Sequence, residues 1–231
     1  MKTSDLLSKS VLLIGTSLLF LSCTHPIQEG TQSLPKATHA LRKNTYALPE
    51  GWIRKGSNPE SYDMGIDKGA AQDGKDAATI KSIDTAIDGF GTLMQDCLPD
   101  KYLGKRVKMT GYMKTKDVKN WAAFWLRVDR KESLTPFTFD NMHVGKDRSV
   151  KGTTDWTKYE IVLDVPAQAS NIAFGALIAG TGQIWFNNIK FDTVYFSLPI
   201  TGIENAIATD TAHRPAPLQV QPEPTNLDFQ K

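Results

Sequence analysis

The sequence predicts an all-β domain of about 150 residues, an antiparallel sandwich or barrel. Three observations predict it. Apolar and polar residues alternate with period two through most of the central region, Gly, Pro, Asp and Asn clusters separate the alternating runs, and little room is left for helix.

The runs follow in order. Residues 90–95 and 106–114 have strand character. Residues 119–129, KNWAAFWLRVD, place Ala122, Phe124, Leu126 and Val128 on one face and Trp121, Ala123, Trp125, Arg127 and Asp129 on the other. In residues 157–165, Tyr159, Ile161, Leu163 and Val165 alternate with Lys158, Glu160, Val162 and Asp164. Ile172, Phe174, Ala176 and Ile178 mark a further strand, and residues 184–196 are long, β-branched and aromatic. Turn signals lie at 99–100, 145–152 and 180–182. Residues 68–78 fit a short helix and an ordered loop equally well.

The chain ends carry other information. Lys2 and Lys9 precede an apolar run at 11–21, the length of a secretory h-region and too short for a membrane-spanning helix. Phe20-Leu-Ser-Cys23 resembles the lipobox of bacterial lipoproteins, with Phe20 where Leu is commoner. That resemblance implies a signal peptide over 1–22, diacylation of Cys23 and anchoring in the cell envelope. Thr24, rather than an inner-membrane-retaining Asp, points to the outer membrane. Residues 23–45 read as a flexible tether, 46–198 as the domain, and 199–231 as a proline-rich tail. Of the chain's two cysteines, acylation of Cys23 leaves Cys97 as a buried small apolar residue; a Cys23–Cys97 disulfide is the competing reading.

Formal net charge is +2, and losing Lys2, Lys9 and Asp5 changes it by one unit. No basic footprint of a nucleic-acid binder is present. His25, His39 and His213 fall in the tether and tail, leaving His143 for the domain, and the nucleophile, zinc and phosphate motifs are absent. These observations predict a protein that is not an enzyme. A small glycoside hydrolase or lyase, which needs only two suitably spaced carboxyls among Asp129, Asp140, Glu160 and Asp164, is the catalytic alternative.

Segments 89–95 (GFGTLMQ), 102–107, 121–129, 139–142 (FDNM), 152–156 (GTTDW), 172–175, 182–185 (GQIW) and 189–191 succeed one another in an order that resembles the galactose-binding-like jelly rolls. This β-sandwich is shared by many carbohydrate-binding modules, and a closely similar domain occurs alone in secreted bacterial proteins and in some AraC-like regulators. The likeness spans residues 49–194, and residues 224–229 (PTNLDF) resemble the way such chains finish. The resemblance implies that 226–229 returns to the sandwich as a strand. It also raises a structural calcium ion, with Asp63 and Asp67 as candidates, although Asn187-Asn188 stands where relatives carry Asp-Asp. No other cofactor is implied.

The candidate ligand-binding residues centre on the polar face of 119–129. Trp121 and Trp125 offer stacking surfaces for a sugar ring, while Arg127 and Asp129 offer partners for its hydroxyls. The competing reading packs the tryptophans under a loop and pairs Arg127 with Asp129 structurally. Asp140 and Asn141 fit either the same site or an ordinary turn, and Gln183, which shares a face with Trp185, is a further candidate. The expected function is non-catalytic binding of a carbohydrate or small polar ligand by an envelope lipoprotein. A structural or protein-interaction lipoprotein with an envelope protein partner is the alternative.

Overall fold

The computed structural model describes residues 44–131, 133, 135–144, 146–204 and 220–231. Cys23, the signal-peptide and tether residues before 44, and His25, His39 and His213 lie outside the described residues.

Eleven strands run in chain order: β1 Ile53–Gly56, β2 Tyr62–Asp67, β3 Ala77–Ser82, β4 Phe90–Cys97, β5 Lys105–Arg130, β6 Thr138–Asp140, β7 Val150–Val165, β8 Ala169–Ala179, β9 Gln183–Val194, β10 Ile203–Glu204 and β11 Val220–Gln221. Three-residue 3-10 turns at Pro59–Ser61 and Asp100–Tyr102 are the helical elements among the described residues. All pairings are antiparallel except β11 on β4. The fold is the antiparallel all-β sandwich expected from the alternation, and the jelly roll that the family resemblance implies.

One strand joins the two layers. The runs expected separately at 106–114 and 119–129 form the single 26-residue strand β5. Its first half pairs with β9 and β7, and its second half with β8 and β6. Between the halves the β5–β7 register slips three times, and Asp117 adopts φ +53. Such bulges bend a strand and raise its twist, so β5 leaves one sheet and enters the other without a break. The first layer therefore reads β2-β3-β9-β5-β7, and the second β1-β4-β8-β5-β6-β10.

The core lies between the layers. Phe124 from the second half of β5 meets Phe186 of β9 edge-on, with centroids 5.9 Å apart and planes at 90°. Trp52 contacts Phe174 of β8 at 5.6 Å and Phe186 at 6.1 Å. Gly111 is needed opposite Phe124, because a Cβ there would sit 2.7 Å from the ring. The residues read as core-facing, Ala122, Phe124, Leu126, Val128, Ile172, Phe174, Ala176 and Ile178, are all buried. Cys97 is a buried free thiol, and burial, ahead of the charges of Asp96 and Glu223, pushes its pKa up to about 12.

One open alternative is settled and one expectation changes form. Residues 68–76 are a turn-rich loop ahead of β3 rather than a helix. The tail does return to the sandwich, but its strand is β11 at Val220–Gln221, while 226–229 forms a turn with Asn226 and Phe229 at positive φ. The turn is held without a ladder: Leu227 C=O accepts from Ile189 N–H at 3.0 Å, and Phe229, fully buried, contacts Trp52 at 4.9 Å and Phe186 at 5.2 Å. A ring driven into the core fixes this segment where strand pairing does not.

Candidate functional site

The outer face of the second layer is built from three adjacent strands. Cross-strand registry puts Phe90, Ala179 and Trp121 on one rung, Met94, Gly175 and Trp125 on another, and Asp96, Ala173 and Arg127 on a third. The central strand β8 thus contributes Ala179, Gly175 and Ala173 between large residues on β4 and β5. The strip of low side chains along β8, the β4–β8–β5 groove, is interrupted by Leu177 on the rung shared with Thr92 and Ala123.

Trp125 is the floor of this groove. Its Nε1–H donates to Thr92 Oγ1 at 3.0 Å, and because Thr92 lies on β4, the indole must reach across β8. It packs against Ala173 and Leu177 and is 8% exposed. The solvent-facing disposition expected for both indoles therefore holds only for Trp121, which is partly exposed. Trp121 stacks on the His143 ring, with centroids 4.6 Å apart and planes 12° from parallel. Phe90, Met94 and Phe139 are also partly exposed around the groove.

The far end is polar. Asn171 donates its amide to Asp96 Oδ1 and Asp129 Oδ2, each at 2.9 Å, and Arg127 Nε lies 3.0 Å from Asp129 Oδ1. Asp96, Asp129 and Asn171 are buried. Asn171 Oδ1 is buried with no hydrogen-bond donor among the described residues.

Asp140 and Asn141 belong to a structural turn rather than to the groove. Asp140 is fully buried; it accepts from Met142 N–H at 2.6 Å and Thr201 Oγ1–H at 2.6 Å and pairs with the Arg148 guanidinium. Asn141 Oδ1 accepts from the amides of His143 and Val144 at 3.1 and 2.9 Å. These bonds close the loop that carries His143 onto Trp121. His143 Nδ1 lies 3.3 Å from Asp147, whose carboxyl is held down to about 2, chiefly by the Ser149 hydroxyl and amide. Gln183 is placed elsewhere. It projects from the outer face of the first layer, where its amide donates to Thr79 Oγ1 at 3.1 Å beside Trp185.

Thr92, Asp96, Asn171 and His143 went unrecognised in the sequence. The alternation Phe90, Thr92, Met94, Asp96 was a readable signal for the β4 wall. His143 carried none, because its stacking depends on a loop closure that local pattern does not encode.

Asp63 and Asp67, the calcium candidates, already have partners. Asp63 accepts from the amides of Thr45 and Tyr46 and from the Thr45 hydroxyl, and Asp67 accepts from Trp185 Nε1–H at 2.7 Å. Among the described residues no group of three or more His, Cys, Asp or Glu is arranged to hold a metal ion.

No protein-family model matches the chain. The chain is similar to the uncharacterized HTH-type transcriptional regulator YbfP of Bacillus subtilis (strain 168), with 37% identity over 183 residues covering 79% of this chain. It spans 57% of that relative's length. Among solved structures, the CBM22-1 xylan-binding domain of Paenibacillus barcinonensis Xyn10C superposes with a TM-score of 0.46 at 14% identity, covering 64% of this chain and 88% of that one. The tailspike protein 4 domain of bacteriophage CBA120 gives 0.45 at 10% identity, covering 63% and 20%. A CBM4 structure gives 0.42 at 15%, covering 65% and 94%.

Proposed function

We propose that this domain is a non-catalytic binding module whose β4–β8–β5 groove takes a carbohydrate or another small polar ligand. The observation that carries the reading is the groove's two-ended chemistry. A partly exposed indole, Trp121, stands at one end, and a buried amide–carboxylate–guanidinium cluster of Asn171, Asp96, Asp129 and Arg127 at the other. A sugar has the same division, an apolar ring face and a rim of hydroxyls.

The non-catalytic part of the proposal rests on the carboxylates. Asp129, Asp140 and Asp164 each face an arginine, Arg127, Arg148 and Arg106 respectively. Each of these carboxylates is committed to an ion pair within the chain. Glu160 lies on β7, away from the groove. The similarity to a protein named as a transcriptional regulator also fits a module that senses or binds rather than transforms.

We further propose that the chain is exported and held at the envelope by acylation of Cys23. Metabolic labelling with a palmitate analogue and fractionation of Cys23→Ala test this; a variant that stays tightly in the membrane fraction refutes it.

The groove is tested by titrating the purified chain with a panel of neutral and acidic oligosaccharides, read by tryptophan fluorescence. A saturable response that Trp121→Ala abolishes, with the variant still folded by circular dichroism, is the expected result. A flat response across the panel overturns the sugar reading. It favours the second reading, a protein-contact surface, which the burial of Trp125 and the partly exposed Phe90, Met94 and Phe139 support.

A further inference from the structure

The outer face of the first layer carries a separate arrangement. Register pairs Lys81 of β3 with Gln183 of β9, and Gln183 with Lys116 of β5. On the next rung Trp185 lies opposite Lys114, whose ammonium sits 5.8 Å from the indole centroid. On the rung after that, Tyr112 of β5 faces Lys158 of β7. Directly paired residues share a face, so Lys81, Lys114, Lys116 and Lys158 project together around Gln183 and Trp185. With strands about 4.8 Å apart and same-face residues roughly 7 Å apart along a strand, the four lysines span about 20 Å diagonally across this face.

Their charge is not neutralised locally. Lys81, Lys116 and Lys158 are exposed, and none of the four forms an ion pair with a carboxylate among the described residues. Asp63, opposite Lys81, is buried and accepts from Thr45 and Tyr46, and Asp67 accepts from Trp185. Asp63 and Asp67 are thus turned inward while the lysines reach water, and the exposed Glu160 flanks Lys158 at one margin of the cluster. Clustered like charges on a low-dielectric surface attract a multivalent counterion.

From this geometry we infer that the first-layer face binds a linear acidic polysaccharide, with the lysines meeting its carboxylates and Trp185 and Gln183 meeting its rings and hydroxyls. The patch carries ammonium groups and no guanidinium fork, which suits dispersed carboxylates better than bidentate phosphate recognition. Its aromatic residues Tyr112 and Trp185 are half-buried, and among the described residues none of the large exposed apolar side chains lies in these paired segments, which disfavours insertion into a bilayer. The surface is distinct from the β4–β8–β5 groove, and the inference stands whether or not the groove binds a ligand.

The test is affinity electrophoresis of the full chain through gels containing polygalacturonate, its fully methyl-esterified form, single-stranded DNA or no polymer, with anionic phosphatidylglycerol vesicles assayed by flotation. Retardation by polygalacturonate and not by the ester is expected, weakening as NaCl rises from about 50 to about 300 mM. A Lys81→Gln/Lys114→Gln/Lys116→Gln/Lys158→Gln variant should lose affinity by about tenfold or more, since several weak exposed contacts are removed together. The triple variant that keeps Lys114 on Trp185 should lose most of it, with circular dichroism unchanged. Trp121→Ala should bind polygalacturonate like the parent, which separates this face from the groove. Equal retardation by the ester, undiminished binding in both lysine variants, or stronger binding to DNA or vesicles than to polygalacturonate at matched salt overturns the inference.

Discussion

Phe229→Ala is the sharpest probe of how this sandwich is closed. Phe229 is fully buried near the end of the chain, in contact with Trp52 at 4.9 Å and Phe186 at 5.2 Å, the latter edge-on at 89°. Removing a buried phenyl ring costs about 3–5 kcal/mol through lost transfer energy and the cavity left behind. The aromatic contacts raise the cost toward the upper end, at about 0.5–1.5 kcal/mol per pair. Against a total stability of roughly 5–15 kcal/mol, that is a large fraction. With a urea m-value of about 2 kcal/mol/M, the midpoint should fall by roughly 2 M. Urea unfolding followed by tryptophan fluorescence and by far-ultraviolet circular dichroism measures it, Trp52 being a reporter in direct contact. A loss below about 1 kcal/mol with an unchanged m-value refutes the idea that the returning tail is part of the core.

Three other outcomes follow from the geometry. Trp125→Ala, which removes a buried indole and its bond to Thr92, should destabilise the domain by about 3–5 kcal/mol in the same urea assay, and Trp121→Ala by clearly less; equal losses would mean that Trp121 is as much a floor as Trp125. Asp140→Ala strips the acceptor for Arg148, Thr201 and the Met142 amide, and should cost about 3–5 kcal/mol by calorimetry; a change within 0.5 kcal/mol (about the surface-substitution level) contradicts its structural role. Stability should decline as pH rises between about 9 and about 12. The unfolded Cys97 thiol ionises there while the buried one keeps its proton, so the unfolded state binds fewer protons and gains on the folded one; Tyr102, raised chiefly by burial, adds in the same direction. Urea midpoints measured across that range check the slope, and a midpoint rising with pH contradicts it. In the same conditions Cys97 should resist thiol reagents until the protein unfolds.

The fold was legible in the sequence because strand alternation is local. In 119–129 every second residue is aliphatic or aromatic, and that stripe alone commits Ala122, Phe124, Leu126 and Val128 to the interior whatever the partner strands are. The same reasoning marked Trp121, Trp125, Arg127 and Asp129 as a row on one outer face, which is where they lie. Side alone does not determine exposure. Trp125 is covered because Thr92, two strands away, supplies an acceptor and β8 supplies small residues beneath the ring, and both facts depend on which strands become neighbours.

Period and turn chemistry thus determined from sequence alone that this is an antiparallel β domain with a two-sided central strand. Tertiary structure decided the rest. It fused two expected strands into β5 and set them in different layers, moved Gln183 to the face opposite the tryptophans, and tied Asp140 to Arg148. It also placed His143 against Trp121 and drove Phe229 of the tail between Trp52 and Phe186. Which way a side chain points follows from its own backbone, and residues next to it in sequence report that. What it touches follows from strand order and loop closure, which join residues as far apart as Trp52 and Asn226, 174 positions distant along the chain.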